Sequence, residues 1–301
     1  MSALIVADVF SPDTVGGAGR VARQLAQGLA REMPVVVVCR NEGGQLPPFE
    51  MADGLEIHRY FVDRSRPGTF FASSVRNSVA LVRWLSRQRR FERLILNQPL
   101  SGVAALPLMG KVPSIYTFHS PWFAEYCLQI GVPDRRPSAK HHLGIWARKR
   151  IERSLVQRSS RVLVLSDYMA GHLCRLHHTP WERISKIPGG VDVERFCPGS
   201  GIQLREELGL PADAEIILTV RNLVARMGLP RLIEAFAWVA RKRPKTYLVI
   251  GGDGPLKSAL KRQVSELGLT EHVRLLGRVP DHQLPNLYRA ADVFALATRA
   301  L

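Results

Sequence analysis

ALIVADVFSPDTVGGAGRVARQLAQGLAREMPVVVVCR, residues 3–40, is the stretch that decides the fold class of this 301-residue chain. It begins with an apolar run that ends at Phe10 and continues through a glycine-containing loop into an amphipathic stretch at Gly19–Arg31. It closes on the run Val35–Cys39, and four successive valines are typical of a parallel strand covered on both faces. The order strand, loop, helix, strand predicts a parallel α/β architecture.

The same alternation continues through the first half of the chain. Further strands are predicted at Leu94–Asn97, Ser114–Phe118, Arg161–Leu165 and Ile184–Ile187. Helices are predicted at Ser74–Arg90, Ser101–Met109, His142–Gln157 and Asp167–Leu176. The segment PFEMADGLEIHRYFVD, residues 48–63, predicts an extra strand or hairpin before the long basic helix.

A Gly- and Pro-rich stretch at residues 196–212 predicts a linker, so we expect one domain over residues 1–198 and a second over 199–301. The second repeats the alternation, with strands at Glu215–Val220, Tyr247–Ile250, Val273–Leu276 and Asp292–Ala297 and helices at Leu229–Arg241, Pro255–Leu267 and Leu284–Ala290. Doubly wound nucleotide-binding domains usually have about six strands. With four, the last beside the first, we expect an incomplete second domain and a C-terminally truncated chain.

Composition excludes several protein classes. Hydrophobic residues make up 46% and charged residues 23% of the chain, which excludes disordered, collagen-like and disulfide-scaffold proteins. Four scattered cysteines without a C-x-x-C pair indicate free thiols in a reducing compartment. His172, Cys174, His177 and His178 lie close together, but adjacent histidines seldom bind one ion and no second ligand pair stands nearby, so we expect no metal site.

Positive charge is the unusual feature, because 42 Lys and Arg against 26 Asp and Glu give a net charge of +16. The excess lies mostly in the first half, with clusters at residues 83–93 and 135–150. Such a field favours anionic partners, namely nucleotide phosphates, acidic lipid headgroups or nucleic acid. A solvated arginine-rich face is an equally good explanation at this stage.

The first predicted loop contains the glycines Gly16, Gly17 and Gly19, followed by Arg20. Glycines let backbone N–H groups approach an anion at a helix N-terminus, where the helix dipole also favours negative charge. The stretch also matches G-x-G-x-x-A, but five residues separate it from the strand, unlike a dinucleotide-binding turn. An NADP site with Arg40 on the 2′-phosphate, or a loop without a ligand, are the alternatives.

Three further residues stand where ligands of open parallel sheets collect, after the ends of strands. His119 follows the strand at Ser114–Phe118, and its type suits either catalysis or a structural hydrogen bond. Arg221 and Arg226 follow the first strand of the second domain, where arginines bind phosphate through charge-assisted hydrogen bonds or simply face solvent.

With these segments in their order, the chain resembles the retaining GT-B glycosyltransferases of the large bacterial sugar-nucleotide-dependent family, of group 1 or family 4 type. The resemblance rests on SPDTVGGAGR, YTFHSPW, VLSDY, KIPGGVDVERF, RNLVARMGL, VIGGDGPL, VRLLGRVP and LYRAADVFAL. It implies two Rossmann-like domains that face a cleft, with the nucleotide-sugar held by the second domain and most of the acceptor by the first.

The resemblance also implies roles for single residues. Gly16 and Gly17 match a loop that approaches donor phosphates and acceptor, and His119 matches a histidine near the transferred sugar. The backbone of Gly277, Arg278 and Val279 matches the segment that meets the nucleotide base. No obligatory metal or other cofactor is expected, because basic side chains and a helix N-terminus stabilise the leaving diphosphate.

Two departures stand out. The positions where the family usually has Arg and Lys are Asn222 and Met227 here, and Arg221 and Arg226 each lie one residue earlier. The paired glutamates that bind sugar and ribose in the family would follow Leu301. We therefore expect transfer to be impaired in the chain as sequenced.

The resemblance implies a cytoplasmic hexosyl-type transferase acting on a glycan, lipid-linked or small-molecule acceptor, with nucleic acid an unlikely partner. Arg83, Arg87 and Arg90 recur at helical spacing beside apolar residues, which predicts peripheral contact with the anionic inner face of the membrane. The alternatives are a non-catalytic basic module that binds nucleotides or anionic lipid, and an NADP-binding Rossmann protein.

Overall fold

The computed structural model describes residues 2–10, 16–41, 44, 46–131 and 136–298. The chain forms two compact units that divide between Gly189 and Gly190, nine residues before the predicted boundary. Residues 190–198 contact the rest of the second unit. The Arg289 side chain donates to the carbonyl of Cys197 at 2.9 Å, and the Arg195 side chain donates to the carbonyl of Asp281.

The first unit contains an eight-stranded sheet in the order β3-β4-β2-β1-β5-β6-β7-β8. Its strands are β1 Ser2–Ala7, β2 Val35–Arg40, β3 Phe49–Ala52, β4 Leu55–Tyr60, β5 Phe91–Leu96, β6 Ser114–Thr117, β7 Arg161–Val164 and β8 Ile184–Lys186. All neighbours are parallel except β3, which is antiparallel to β4. The predicted hairpin is therefore confirmed, and it extends one edge of the sheet.

The helices of the first unit are α1 Gly17–Ala30, α2 Pro67–Gln88, α3 Pro99–Gly102, α4 Trp122–Gln129, α5 Ala139–Arg158 and α6 Asp167–His177. The small side chains Ala22 and Ala26 are fully buried against the central strands, which lets α1 approach the sheet closely. Ser166 caps α6, because its hydroxyl accepts a hydrogen bond from the Met169 N–H at 3.3 Å.

The second unit contains a four-stranded parallel sheet in the order β11-β10-β9-β12. The strands are β9 Glu215–Val220, β10 Thr246–Gly251, β11 Val273–Gly277 and β12 Val293–Phe294. The helices are α7 Ile202–Glu207, α8 Leu229–Lys242, α9 Lys257–Glu266 and α10 Leu284–Ala290. As predicted, the last strand lies beside the first.

The structure corrects three element predictions. The helix predicted at Ser101–Met109 is instead α3 followed by a 3₁₀ turn at Val103–Ala105, and α4 was not predicted. Helix α7 lies inside the predicted linker. It is held there by Arg205, whose guanidinium donates to the carbonyls of Ala214 and Ala290 at 2.8 and 3.0 Å.

All four cysteines are free thiols, as predicted. Within the described part of the chain, no helix combines the length and the apolar character needed to cross a bilayer.

Candidate functional site

Three polar residues follow neighbouring strands at one edge of the first sheet. Asp8 comes after β1, Asn97 after β5 and His119 after β6, and these strands are adjacent in the order β1-β5-β6. Because parallel strands end at the same edge, the three side chains lie where open α/β sheets bind ligands. His119 was predicted there, whereas Asp8 and Asn97 were not.

The fully buried amide of Asn97 connects two predicted site elements. Its Nδ2 donates to the carbonyl oxygen of Ala18 in the first turn of α1 at 2.9 Å. Its Oδ1 lies 3.1 Å from Nε2 of His119. The glycine-containing loop and His119 are therefore built against one shared side chain.

This arrangement fixes the tautomer of the neutral His119 ring. The carbonyl of Ala18 can only accept, so the amide of Asn97 must turn its Oδ1 toward His119, and the imidazole must carry its proton on Nε2. Burial lowers the pKa of His119 to about 4, with the hydrogen bond to Asn97 acting in the opposite direction. Near neutral pH the ring is uncharged, and Nδ1 is a hydrogen-bond acceptor.

The glycine-containing loop leads directly into α1. Gly16 is the N-cap, and its carbonyl accepts from the Arg20 N–H at 3.3 Å. A Cβ added at Gly16 or Gly17 would meet no described atom within 4 Å, whereas Gly19 is buried and Arg20 is exposed. The first turn of α1 has N–H groups without a partner inside the helix, as at every helix N-terminus, and such groups can bind anions. Residues 11–15 of the loop lie outside the described residues.

The side chain on which the NADP alternative depends has other contacts. The Arg40 guanidinium lies over the ring of Phe70, 5.0 Å from its centroid, and its charge acts on Asp8. Burial raises the pKa of Asp8 and Arg40 opposes this. Asp8 also accepts a hydrogen bond from the Ser101 N–H at 2.7 Å, so its carboxylate holds α3, the short helix that follows β5.

The chain after His119 is held by a buried carboxylate that sequence reasoning missed. Glu152, on α5, is completely buried. Its Oε1 accepts from the Trp122 N–H at 3.1 Å, and its Oε2 lies 3.3 Å from Nε2 of His177. Glu152 therefore fixes the start of α4, three residues after His119.

In the second unit, the ends of three neighbouring strands are tied together by backbone hydrogen bonds. The Arg221 N–H donates to Gly251 at 2.9 Å, and the Gly252 N–H donates to Gly277 at 2.7 Å. A Cβ on Gly252 would lie 1.8 Å from the carbonyl oxygen of Arg221, so only glycine fits there. The result is a compact edge formed by the residues after β9, β10 and β11.

Arg221 and Arg226, the two predicted phosphate-binding arginines, are near each other at this edge. Burial and then the charge of Arg226 lower the pKa of Arg221. The Arg221 guanidinium contacts the sulfur of Met227 at 2.9 Å and donates to the Thr298 hydroxyl at 3.2 Å. Within the described residues, neither arginine forms an ion pair with a carboxylate. Met227 itself is buried, so it supplies a surface for Arg221 and no charge.

The predicted base-contacting segment follows β11. Gly277 has φ +72°, a left-handed conformation that favours glycine. Arg278 is exposed, and the Val279 side chain packs in the core beside Val220. The segment therefore offers its backbone and the Arg278 side chain rather than Val279 itself.

The histidine- and cysteine-containing segment has other contacts. His172 packs edge-on against Tyr168, with ring centroids 4.7 Å apart, and His177 packs against Phe118 and Glu152. Over the described ranges, no group of three or more His, Cys, Asp or Glu side chains is arranged to hold a metal ion.

A family model described as Glycosyltransferase Family 4 matches residues 15–195, more than half of the chain. The chain belongs to this family. A second family model, Glycosyl transferases group 1, matches residues 202–300. The first match covers most of the first unit and runs into the second as far as residue 195, and the second match lies within the second unit.

Curated relatives in the family carry glycosyltransferase names. The chain is 37% identical over 122 residues to the GDP-mannose-dependent alpha-(1-6)-phosphatidylinositol monomannoside mannosyltransferase of Mycolicibacterium smegmatis, covering 40% of this chain and 32% of that protein. It is 29% identical to the D-inositol 3-phosphate glycosyltransferase of Frankia alni, covering 67% of this chain and 50% of that protein. The matched region thus spans 32% to 50% of these relatives' own length.

Solved structures of similar fold include the sucrose-phosphate synthase of Thermosynechococcus elongatus, with a TM-score of 0.80 and 21% identity, covering 97% of this chain and 74% of that one. Anabaena HepE in complex with UDP and glucose gives a TM-score of 0.74 at 18% identity, covering 100% of this chain and 75% of that one. These likenesses confirm the predicted fold class, α/β with two Rossmann-like domains of GT-B type.

Proposed function

We propose that the chain acts in retaining glycosyl transfer, moving a hexosyl unit from a nucleotide-sugar to an acceptor. The observation that carries this proposal is the Asn97 amide, which hydrogen bonds both to Ala18 at the glycine-containing loop and to His119. A merely flexible loop would not need a fully buried amide to position it beside an uncharged imidazole. Family membership and the names of the relatives support the same reaction class.

In this proposal each element of the first unit has a role. The Nδ1 atom of His119 accepts a hydrogen bond from a hydroxyl of the transferred sugar, since Nε2 is already bonded to Asn97. The N–H groups at Gly16 and Gly17 approach phosphate or acceptor oxygens, with Arg20 nearby on the exposed side of α1. A neutral imidazole suits this role, because a cation beside the anomeric carbon would oppose the positive charge that develops there.

The second unit holds the nucleoside diphosphate in this proposal. Arg221 and Arg226 bind the phosphates, and the backbone of residues 277–279 meets the base. The bond between the anomeric carbon and the diphosphate breaks, the bond to the acceptor oxygen forms on the same face of the sugar, and the acceptor hydroxyl passes its proton to the departing diphosphate oxygen. The diphosphate leaves with the negative charge, which the two arginines stabilise without an obligatory metal.

We further propose a glycan, lipid-linked or small-molecule acceptor and a cytoplasmic location at the inner face of the membrane. The net charge of +16 supports both, since it attracts anionic substrates and anionic lipid. Of the predicted contact residues, Arg83 and Arg87 are exposed on α2, whereas Arg90 lies beyond its last residue, Gln88. The side chains of Val82 and Leu85 are buried on the same helix, so α2 presents mainly its basic side to solvent.

The proposal is tested by calorimetric titration with UDP, GDP, UDP-glucose and GDP-mannose, followed by NMR analysis of the anomeric configuration of any product. We expect one nucleoside diphosphate to bind, and the double substitution Arg221→Gln/Arg226→Gln to weaken its binding by about 100-fold, at roughly 1.4 kcal/mol for each arginine. The matched control is Arg262→Gln, an exposed arginine on α9 that pairs with Glu266.

Three results would contradict the proposal. Binding that is indifferent to the two arginines would place the diphosphate elsewhere. Binding of nucleotide together with anionic lipid, but with no transfer to any acceptor, would favour the non-catalytic module. Saturable binding of NADPH that is lost in Arg40→Gln would favour the NADP-binding alternative.

A further inference from the structure

One helix of the first unit exposes apolar and basic side chains along the same side. Leu143, Trp146, Arg150, Arg153 and Gln157 recur on α5 at intervals of three and four residues, so they form one stripe along the helix. Leu143 is 65% exposed and Trp146 is 59% exposed, and Arg150, Arg153 and Gln157 are exposed as well. We call these five residues the α5 face. The two apolar side chains therefore lie at one end of a continuous stripe whose other end is basic.

The charge of α5 has one sign on the outside. Its basic residues are Lys140, Arg148, Lys149, Arg150, Arg153 and Arg158. Its one acidic residue, Glu152, is completely buried and already bonded to Trp122 and His177. The charged side chains that α5 exposes to solvent are therefore all basic.

The basic half of the α5 face opens into a shallow cavity of about 420 Å³. It is lined by Arg150, Arg153, Ser154, Gln157 and Arg158, and no described carboxylate lines it. Three guanidinium groups and two neutral polar groups in one depression suit phosphate oxygens, which arginine binds in a bidentate manner.

The apolar half of the α5 face distinguishes a bilayer from a soluble anion. Trp146 lies one turn from Arg150, with the guanidinium 5.9 Å from the centroid of its ring. Tryptophan beside arginine is the pairing found at the membrane interface, where the ring enters the headgroup region and the cation meets phosphate. A free phosphate would use the arginines alone, whereas the stripe from Leu143 to Gln157 extends for roughly 20 Å at 1.5 Å per residue.

The predicted membrane helix α2 is organised differently. Val82 and Leu85 are buried toward the sheet, and the ring of Trp84 packs edge-on against His58 with centroids 6.0 Å apart. Arg83 and Arg87 on α2 are exposed. Helix α2 therefore offers positive charge beside one partly covered apolar side chain, whereas α5 offers charge beside two that are more exposed.

We propose that the α5 face is a docking surface for an anionic phospholipid bilayer, with Arg150, Arg153 and the adjoining cavity residue Arg158 on lipid phosphates and with Leu143 and Trp146 in the headgroup region. This deepens the membrane contact proposed above and rests on it. The docking surface is tested by vesicle binding alone. A chain that does not bind vesicles could still transfer a glycosyl unit, and a chain that transfers nothing could still bind vesicles.

The test is co-sedimentation of the full chain with vesicles of phosphatidylcholine alone and with about 30% phosphatidylglycerol, at two salt concentrations. We expect binding to the anionic vesicles only, and weaker binding at high salt. Each basic residue near such a surface contributes on the order of a fivefold change in partitioning, so Arg150→Gln/Arg153→Gln/Arg158→Gln should lower it by roughly 100-fold. The charge-matched control is Arg76→Gln/Arg83→Gln/Arg87→Gln on α2, which we expect to retain most of the binding.

A second pair of variants tests the apolar half of the surface. Trp146→Ser should weaken vesicle binding about tenfold, as expected for withdrawing one large apolar side chain from the interface. The matched control is Trp238→Ser on α8. Trp238 is likewise exposed and has an arginine, Arg241, 5.7 Å from its ring. Unfolding by urea confirms that each variant is folded.

Several outcomes would overturn the proposal. Equal binding to neutral and anionic vesicles would do so, as would loss of binding in the α2 variant with retention in the α5 variant. Full competition by millimolar inorganic phosphate at constant ionic strength, with no effect of Trp146→Ser, would assign the cavity to a soluble phosphate.

Discussion

Replacing His119 by glutamine should change how the stability of the first unit depends on pH. Burial lowers the pKa of His119 from its ordinary 6.5 to about 4. Between these two pH values the unfolded chain binds a proton that the folded chain does not, so the free energy of unfolding falls as the pH is lowered. Stability from the neutral imidazole is therefore present above the ordinary pKa and is lost as the pH falls toward 4.

The size of the effect follows from the shift. One pKa unit corresponds to about 1.4 kcal/mol, so the whole window amounts to roughly 3 kcal/mol. Of this, about 2 kcal/mol falls between about pH 7 and about pH 5. His119→Gln removes this contribution, because glutamine has no proton to gain, while contributions from all other groups are common to both proteins and cancel in the difference.

The measurement is urea unfolding across this pH range, detected by tryptophan fluorescence. Trp84, Trp122, Trp146 and Trp181 all lie in the first unit, so the signal reports mainly on it. His142→Gln, at an exposed position on α5, is the control and should keep the wild-type pH dependence. If the wild-type and His119→Gln curves run parallel from neutral to acidic pH, the buried neutral imidazole described above is wrong.

Other predictions follow from packing and hydrogen bonding. Gly228 and Gly268 share φ +68°, but a Cβ on Gly228 would lie 1.7 Å from a backbone oxygen, whereas Gly268 is open. Scanning calorimetry should thus show a loss of about 1 kcal/mol for Gly268→Ala and roughly 3 kcal/mol for Gly228→Ala, and equal losses would contradict the packing there. Glu152→Ala should cost about 3 kcal/mol in urea unfolding and Glu152→Gln distinctly less, because the amide still accepts one hydrogen bond. Arg205→Ala should lower the free energy of unfolding by about 2 kcal/mol and speed hydrogen exchange in α7. Arg262→Ala, at an exposed position, should change the free energy of unfolding by no more than about 0.5 kcal/mol and should leave hydrogen exchange in α7 unchanged.

Much of the fold could be predicted from hydrophobic periodicity. The bounds of β9 and α10 agree with prediction because each is a regular apolar pattern that ends at a clear change in polarity. Helix α4 was missed because none of its residues is buried, so it has no marked apolar side. Helix α7 was missed because it is short and held by Arg205, whose partners lie far away in sequence.

The candidate site was predictable only in part. His119 and the glycines carry signals of residue type and position, and the structure finds them at the expected edge. Asn97 carries a weaker signal, a polar residue directly after a buried strand, and only its contacts with Ala18 and His119 show its importance. Glu152 carries no signal, because an acidic residue within a basic helix is indistinguishable in sequence from a solvated one.

The amide of Asn97 has a thermodynamic consequence. It holds the first turn of α1 through one atom and the imidazole through another, so displacing either partner disturbs a hydrogen bond of the same buried amide. A ligand that binds more tightly to one arrangement of the loop thereby selects an arrangement of His119. Linkage makes this reciprocal, and a ligand of His119 must alter affinity at the loop by the same factor. Ligand groups at the loop and at His119 would then bind cooperatively through a single side chain.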